Sequence, residues 1–217
     1  MCGRYTLTSP IDRLAQEFDL DGGIGELQPN YNVAPTQSVA TVIAENGGRR
    51  LEMLRWGLVP SWADDPEIGS RMINARAETA PEKPSFRSAF KRRRCLIPSD
   101  GFYEWKREEG GKQPYYIHMQ DGRPFAFAGL WESWHDELRT CAIITTRANE
   151  LVAGVHDRMP VILPRENYDA WLDPEADKEE LVSLLRPYPG DDLETFPVSR
   201  FVNSPRNNDE RCVASVA

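Results

Sequence analysis

Cys95-Leu96-Ile97-Pro98 and Gly101-Phe102-Tyr103-Glu104-Trp105-Lys106, two residues apart, form the stretch whose reading decides the fold. Both segments read as strands, and three more of the same kind follow at 115–119, 125–130 and 140–145. Glu109-Gly110-Gly111 and Asp121-Gly122 supply tight turns between them. Strands joined by turns this short pair antiparallel. The run has no β-α-β alternation, no P-loop and no G-x-G-x-x-G, so neither a Rossmann fold nor a TIM barrel is supported. The expected class is α+β with a mostly antiparallel β-core.

Toward the N-terminus, residues 39–44 and 51–56 read as a hairpin around Asn46-Gly47-Gly48. Before it, Tyr31-Asn32-Val33-Ala34-Pro35-Thr36-Gln37 is polar and extended, with Pro35 forbidding a helix. Ser9-Pro10-Ile11-Asp12 reads as a helix start, Ser9 capping and Pro10 first in the helix. Ile11, Leu14, Ala15 and Phe18 make its apolar stripe, and Asp21-Gly22-Gly23 ends it. Trp56 and Trp62 bracket Gly57-Leu58-Val59-Pro60-Ser61, which reads either as a stacking platform or as a loop buried by its tryptophans. A short helix from near Pro84 carries Phe86, Ala89 and Phe90 on one face and ends in Lys91-Arg92-Arg93-Arg94. Those cations complement the helix dipole or form a phosphate-binding edge.

Toward the C-terminus, residues 150–155 read as a short helix and 161–163 as a strand. Residues 164–172 and 174–185 read as helices opened by proline, and 196–198 as a last strand. There is no repeat and no linker-like composition shift, so one domain over 1–217 is expected. Net charge is −8, which argues against a nonspecific nucleic-acid binder while leaving room for a local basic groove. No run approaches 18 apolar residues and the N-terminus lacks a signal pattern, so no membrane span and a cytoplasmic location are expected. Cys2, Cys95, Cys141 and Cys212 are scattered, without ligand spacing to His118, His135 or His156. Neither a metal site nor a disulfide framework nor any cofactor is expected.

The first four residues, Met1-Cys2-Gly3-Arg4, carry the sharpest chemistry. Initiator methionine is normally trimmed before a small second residue. Removal gives Cys2 a free α-amine beside its thiol, with reference pKa values of about 7.7–8.0 and about 8.5. An aldehyde condenses with such an amine to an imine, and the thiol closes on the imine carbon to a thiazolidine. The alternatives are an N-terminal cysteine nucleophile for amide hydrolysis and an accidental cysteine at a frayed end. Elsewhere, Asn74, Glu104 and His156 are the candidate catalytic side chains. Taken singly, each has a blander reading. Strand alternation sets Glu104 opposite Tyr103 and Trp105 and favours a solvent-facing carboxylate, His156 reads as surface or structural, and Asn74 as a turn cap.

Together these residues sit in a set of motifs that resembles one family. Met-Cys-Gly-Arg-Tyr at the start, Tyr31-Asn32-Val33-Ala34-Pro35-Thr36, Arg55-Trp56-Gly57-Leu58-Val59-Pro60, Asn74-Ala75-Arg76-Ala77-Glu78-Thr79, Arg94-Cys95-Leu96-Ile97-Pro98, Gly101-Phe102-Tyr103-Glu104-Trp105 and His156-Asp157-Arg158-Met159-Pro160 resemble the SOS response-associated peptidase (SRAP) family. Val202-Asn203 matches its C-terminal motif. The resemblance implies a single α+β domain with a barrel-like β-core and peripheral helices. It also implies covalent capture of abasic sites in single-stranded DNA, linked to DNA repair. Cys2 would be the nucleophile, Asn74 would hold its amine and the opened sugar, Glu104 would be the general acid–base, and His156 would stabilise the open sugar and Schiff base. Arg4, Arg76, Arg158 and Thr145 match positions that contact DNA phosphates, and Trp62 matches an aromatic near the stacking edge. The family name adds a peptidase role, read as autocatalytic removal of residues ahead of the cysteine. The partner expected is single-stranded DNA with abasic sites, and the protein a monomer, associated with the nucleoid when bound. An N-terminal-nucleophile amidohydrolase and a noncatalytic reader of modified DNA remain the rival functions.

Overall fold

The computed structural model describes residues 2–21, 25–45 and 47–216. In chain order the strands are β1 (Tyr5–Leu7), β2 (Asn30–Val33), β3 (Ser38–Glu45), β4 (Gly48–Trp56), β5 (Asn74–Arg76), β6 (Arg94–Ser99), β7 (Gly101–Glu108), β8 (Gly111–Met119), β9 (Phe125–Trp134), β10 (Leu138–Arg147), β11 (Arg158–Pro160), β12 (Ile162–Leu163) and β13 (Leu193–Pro197). The helices are α1 (Ile11–Phe18), α2 (Arg87–Arg92), α3 (Glu150–Ala153), α4 (Tyr168–Leu172) and α5 (Lys178–Leu184). The expected α+β class with a mostly antiparallel core is what the chain adopts.

Two sheets share the work. In one, β10, β4, β3, β6 and β9 pair in turn, and β9 pairs back to β10. This ring of pairings is barrel-like without being a closed barrel. Its strands bury their side chains on both faces where they cross the middle, as all six residues of β6 do. The β3–β4 hairpin runs in register from Ser38↔Arg55 to Glu45↔Gly48, with Gly47 at φ 82° making the turn. The expected turn residue Asn46 lies outside the described residues, as do Gly22 and Gly23 at the end of α1 and Met1.

The second sheet has the order β13-β8-β7-β1-β2 and carries the N-terminus. The β7–β8 hairpin turns through Glu109 and Gly110, whose φ of 92° suits glycine. Strand β1 lies beside β7 in the register Tyr5↔Phe102, and the Tyr103 N–H donates to Arg4 O at 3.0 Å. The chain's first residues are thereby laid along the strand that bears Glu104. Tyr5 ties the sheets together, meeting Trp56 and Phe127 edge-on with ring centroids 5.4 and 5.7 Å away.

Several expectations are corrected. Ser9 does not cap α1; Pro10 is the cap, its carbonyl accepting from Arg13 and Leu14. The Ser9 hydroxyl instead donates to Asp100 Oδ1 at 2.6 Å. The helix expected from Pro84 begins at Arg87, and that expected over 174–185 is helical only from Lys178 to Leu184. Short strands β1 and β5 escape a periodicity reading, because three residues are too few to show alternation.

Candidate functional site

Strand β5 runs parallel to β10, pairing Asn74 with Ile143 and Arg76 with Thr145. That places Asn74 where its Nδ2 donates to the Cys2 carbonyl at 2.8 Å. Its Oδ1 is buried and meets no hydrogen-bond donor among the described residues. Cys2 itself is fully buried. Burial pushes its thiol well above the usual range, and the nearby Glu104 charge pushes it further. The thiol is therefore neutral at physiological pH.

Glu104 is only 2% exposed, so the solvent-facing carboxylate expected from strand alternation is wrong. The alternation holds, but the face opposite Tyr103 and Trp105 looks into the site rather than into water. Burial lifts the carboxyl to about 7, and the charge of Asp157 adds to the effect. A group in that range gives and takes protons at neutral pH.

His156 follows α3 and is half-buried. Its Nδ1 accepts the Arg158 backbone N–H at 3.0 Å, which assigns the ring proton to Nε2 in the neutral form. Asp157 Oδ1 also lies 3.0 Å from Nδ1, a contact that becomes a hydrogen bond only in the imidazolium. Burial pulls the ring's pKa below 6.5 despite that carboxylate, so the neutral ring prevails at neutral pH.

Glu104 and His156 line one cleft of about 400 Å³ with Arg4, Trp105, Lys112 and Asn203. The Arg4 guanidinium donates to Asn32 Oδ1 at 2.8 Å and to Val202 O at 2.9 Å, and lies 5.9 Å from the Trp105 ring centroid. Asn32 in turn donates to Val202 O, Ser204 O and Asn207 O, and Trp105 Nε1 donates to Asn203 Oδ1 at 2.8 Å. The chain's C-terminal segment is thus a wall of the cleft. Sequence reasoning assigned no role to Asn32, Trp105, Lys112 or Asn203. For Lys112 the only signal was its place after the Glu109-Gly110-Gly111 turn.

The remaining candidates are placed as follows. Arg158 makes a two-pronged pair with Glu78 at 2.5 and 2.9 Å and donates to Thr145 O at 2.6 Å. Thr145 is buried, and its hydroxyl lies 3.4 Å from the same guanidinium. Arg76 is exposed and has no ion pair among the described residues. Trp56 is buried, its indole donating to Ile73 O, whereas Trp62 is 59% exposed. Trp62 lines a different cavity, beside Asp64, Asp65 and Glu67, and is not part of the cleft. The basic run at 91–94 splits. Arg94 is buried and donates to the carbonyls of Phe90, Lys91, Trp171 and Asp173, while Arg93 pairs with Glu132 at 2.7 Å. Only Lys91 and Arg92 of the run face open space, in a separate cavity of about 910 Å³ between α2 and α5. Among the described residues no group of three or more His, Cys, Asp or Glu is placed to hold a metal.

Comparison with known proteins spans nearly the whole chain. The sequence model of the "SOS response associated peptidase (SRAP)" family matches residues 1–205. The abasic site processing protein YoqW of Bacillus subtilis is 50% identical over 99% of this chain and 100% of its own length. The abasic site processing protein HMCES of Xenopus tropicalis is 32% identical over 90% of this chain and 69% of its own. A crystal structure of a Bacteroides thetaiotaomicron protein superposes with a TM-score of 0.90 at 30% identity, covering 100% of both chains.

Proposed function

The chain belongs to the SOS response associated peptidase (SRAP) family, and from that premise we propose that it processes abasic sites in single-stranded DNA by capturing them covalently at Cys2. The observation that carries the reading is the buried Glu104 carboxyl, held near neutrality beside the N-terminal Cys2. An abasic sugar lies mostly as a closed hemiacetal. Opening it needs a base for the C1′ hydroxyl and an acid for the ring oxygen, and Glu104 is in the right range to serve as either. Neutral His156 offers Nε2–H to the opened sugar's oxygen.

Loss of Met1 exposes the α-amine of Cys2. The Asn74 Nδ2 holds the Cys2 carbonyl, and the buried Asn74 Oδ1 is an acceptor for that amine. The amine adds to C1′, and the carbinolamine loses its hydroxyl as water to give an imine. The thiol sulfur then bonds to C1′ while its proton passes to the imine nitrogen, closing the thiazolidine. Because the thiol is neutral, the amine reacts first and the thiol seals the product. The peptidase activity in the family name fits as autocatalytic release of what precedes Cys2. Arg4, Arg76 and Arg158 would hold the strand by its phosphates, which positions it without reading sequence.

The test is denaturing electrophoresis after mixing the protein, its N-terminus checked by intact mass, with single-stranded DNA carrying one abasic site. The expected result is a heat-stable adduct that Cys2→Ala and Cys2→Ser both abolish, each retaining an α-amine whose imine is trapped only by borohydride. A stable adduct from Cys2→Ala would overturn the mechanism.

A further inference from the structure

The cleft holds a cation that no sequence motif singles out. We infer that the Lys112 ammonium is a phosphate anchor, binding the DNA backbone where the strand crosses the cleft mouth; this rests on the DNA reading above.

Lys112 pairs with Arg107 across the β7–β8 hairpin, and Trp105 pairs with Pro114, so Lys112 and Trp105 share one face of that hairpin. Both line the cleft that contains Glu104 and His156. Lining that cleft, Lys112 faces the same space as Glu104 and His156 and is not merely on the same hairpin. Its charge makes a small further contribution to disfavouring the His156 imidazolium, where burial is the main cause.

The engagement of the neighbours decides what Lys112 can add. Arg4 in the same cleft spends its Nη1 on Asn32 and Val202, and Arg158 gives two nitrogens to Glu78, so each meets a phosphate with only part of its guanidinium or in competition with Glu78. Lys112 is exposed and has no carboxylate partner among the described residues. In a chain of net charge −8, a cation left unpaired at the site has an anionic partner to gain. A lysine is a compact charge on a flexible four-carbon stem, suited to a phosphate whose position varies with the strand. Its contact is sequence-independent and releases counterions from the DNA.

The experiment is fluorescence-anisotropy titration of lesion-free single-stranded DNA across a salt series, with wild type, Lys112→Gln and Lys112→Arg. One phosphate contact contributes about −0.7 to the slope of log affinity on log salt for a single strand. Over a fourfold rise in salt, wild type should therefore lose about 2.6-fold more affinity than Lys112→Gln. Lys112→Arg should restore the wild-type slope, which a merely structural role would not require. Equal slopes for wild type and Lys112→Gln would overturn the proposal, as would wild type that does not bind the strand. Borohydride trapping of Cys2→Ala onto abasic DNA, lost in the Cys2→Ala/Lys112→Arg double variant, would also overturn it by making the amine a covalent nucleophile. Lesion-free DNA keeps this test separate from the cross-linking reading, which fails or stands on abasic DNA alone.

Discussion

Replacing Glu104 by glutamine should raise stability and destroy activity together, and only at neutral to alkaline pH should the stability gain be large. The carboxyl is buried and holds its proton up to about 7, against an ordinary value of 4.5. At about 1.36 kcal/mol for each tenfold change in proton affinity, that gap is worth about 3 kcal/mol. The sign follows from which form the fold prefers. Below pH 4.5 the carboxyl is protonated folded or unfolded, and its contribution is intact. As pH rises through 7 the folded state must bury a charge that the unfolded state leaves in water, so stability is lost. Glutamine never ionises and escapes that loss. For a chain of this size about 1 kcal/mol moves Tm by roughly 2–4 °C. The Tm advantage of Glu104→Gln over wild type should therefore be roughly 6–12 °C larger at pH 8 than at pH 4.5. Thermal melts by circular dichroism at the two pH values measure it. The same preparations should cross-link abasic DNA about 10²–10⁴-fold more slowly. A Tm difference that is the same at both pH values would refute the argument, because the carboxyl would then titrate alike in the folded and unfolded chain.

Glu78→Gln should tighten binding to lesion-free single-stranded DNA, since phosphates would no longer compete with the carboxylate for Arg158. For a pair this exposed the release is worth about 0.2–1 kcal/mol, or about 1.5- to 5-fold in affinity; weaker binding by anisotropy would show that Glu78 positions Arg158 instead. Asn32→Ala removes an acceptor for Arg4 and donors to three carbonyls, at about 1 kcal/mol net for each bond. Thermal unfolding should register a loss of about 2–4 kcal/mol, with weaker DNA binding alongside. If neutral His156 assists the open sugar, cross-linking rate plotted against pH should fall more steeply below 6.5 than protonation of the Cys2 amine alone requires. His156→Gln should lower the rate and remove that extra steepness; an unchanged profile would take His156 out of the mechanism.

The antiparallel core was legible because strands of five or more residues between glycine turns announce themselves, as 101–106, 115–119 and 125–130 did. The candidate site positions were legible only as motifs. Nothing local to Glu104 reveals that the face opposite Trp105 is covered by the chain's own first residues, since that depends on β1 pairing with β7 a hundred residues away. The same limit hid Arg94. In sequence it is the last of a basic run, yet its guanidinium is spent on four carbonyls, two of them from the distant 171–173 segment. The cleft's C-terminal wall was hidden for the opposite reason. Residues 199–212 fold as short 3-10 turns with no apolar period to detect.

Arg4 donates one of its hydrogen bonds to a carbonyl 198 residues further along the chain. During synthesis at roughly 5–20 residues per second, about 10–40 s pass between the emergence of these two partners. Throughout that interval a nascent chain has its N-terminal cysteine but lacks the wall that orients Arg4 and Trp105. A ribosome-bound chain, or one clipped by a protease before Val202, would carry Cys2 without those contacts. If the cleft seats DNA as proposed above, the last part of the chain to be made would be the arming step.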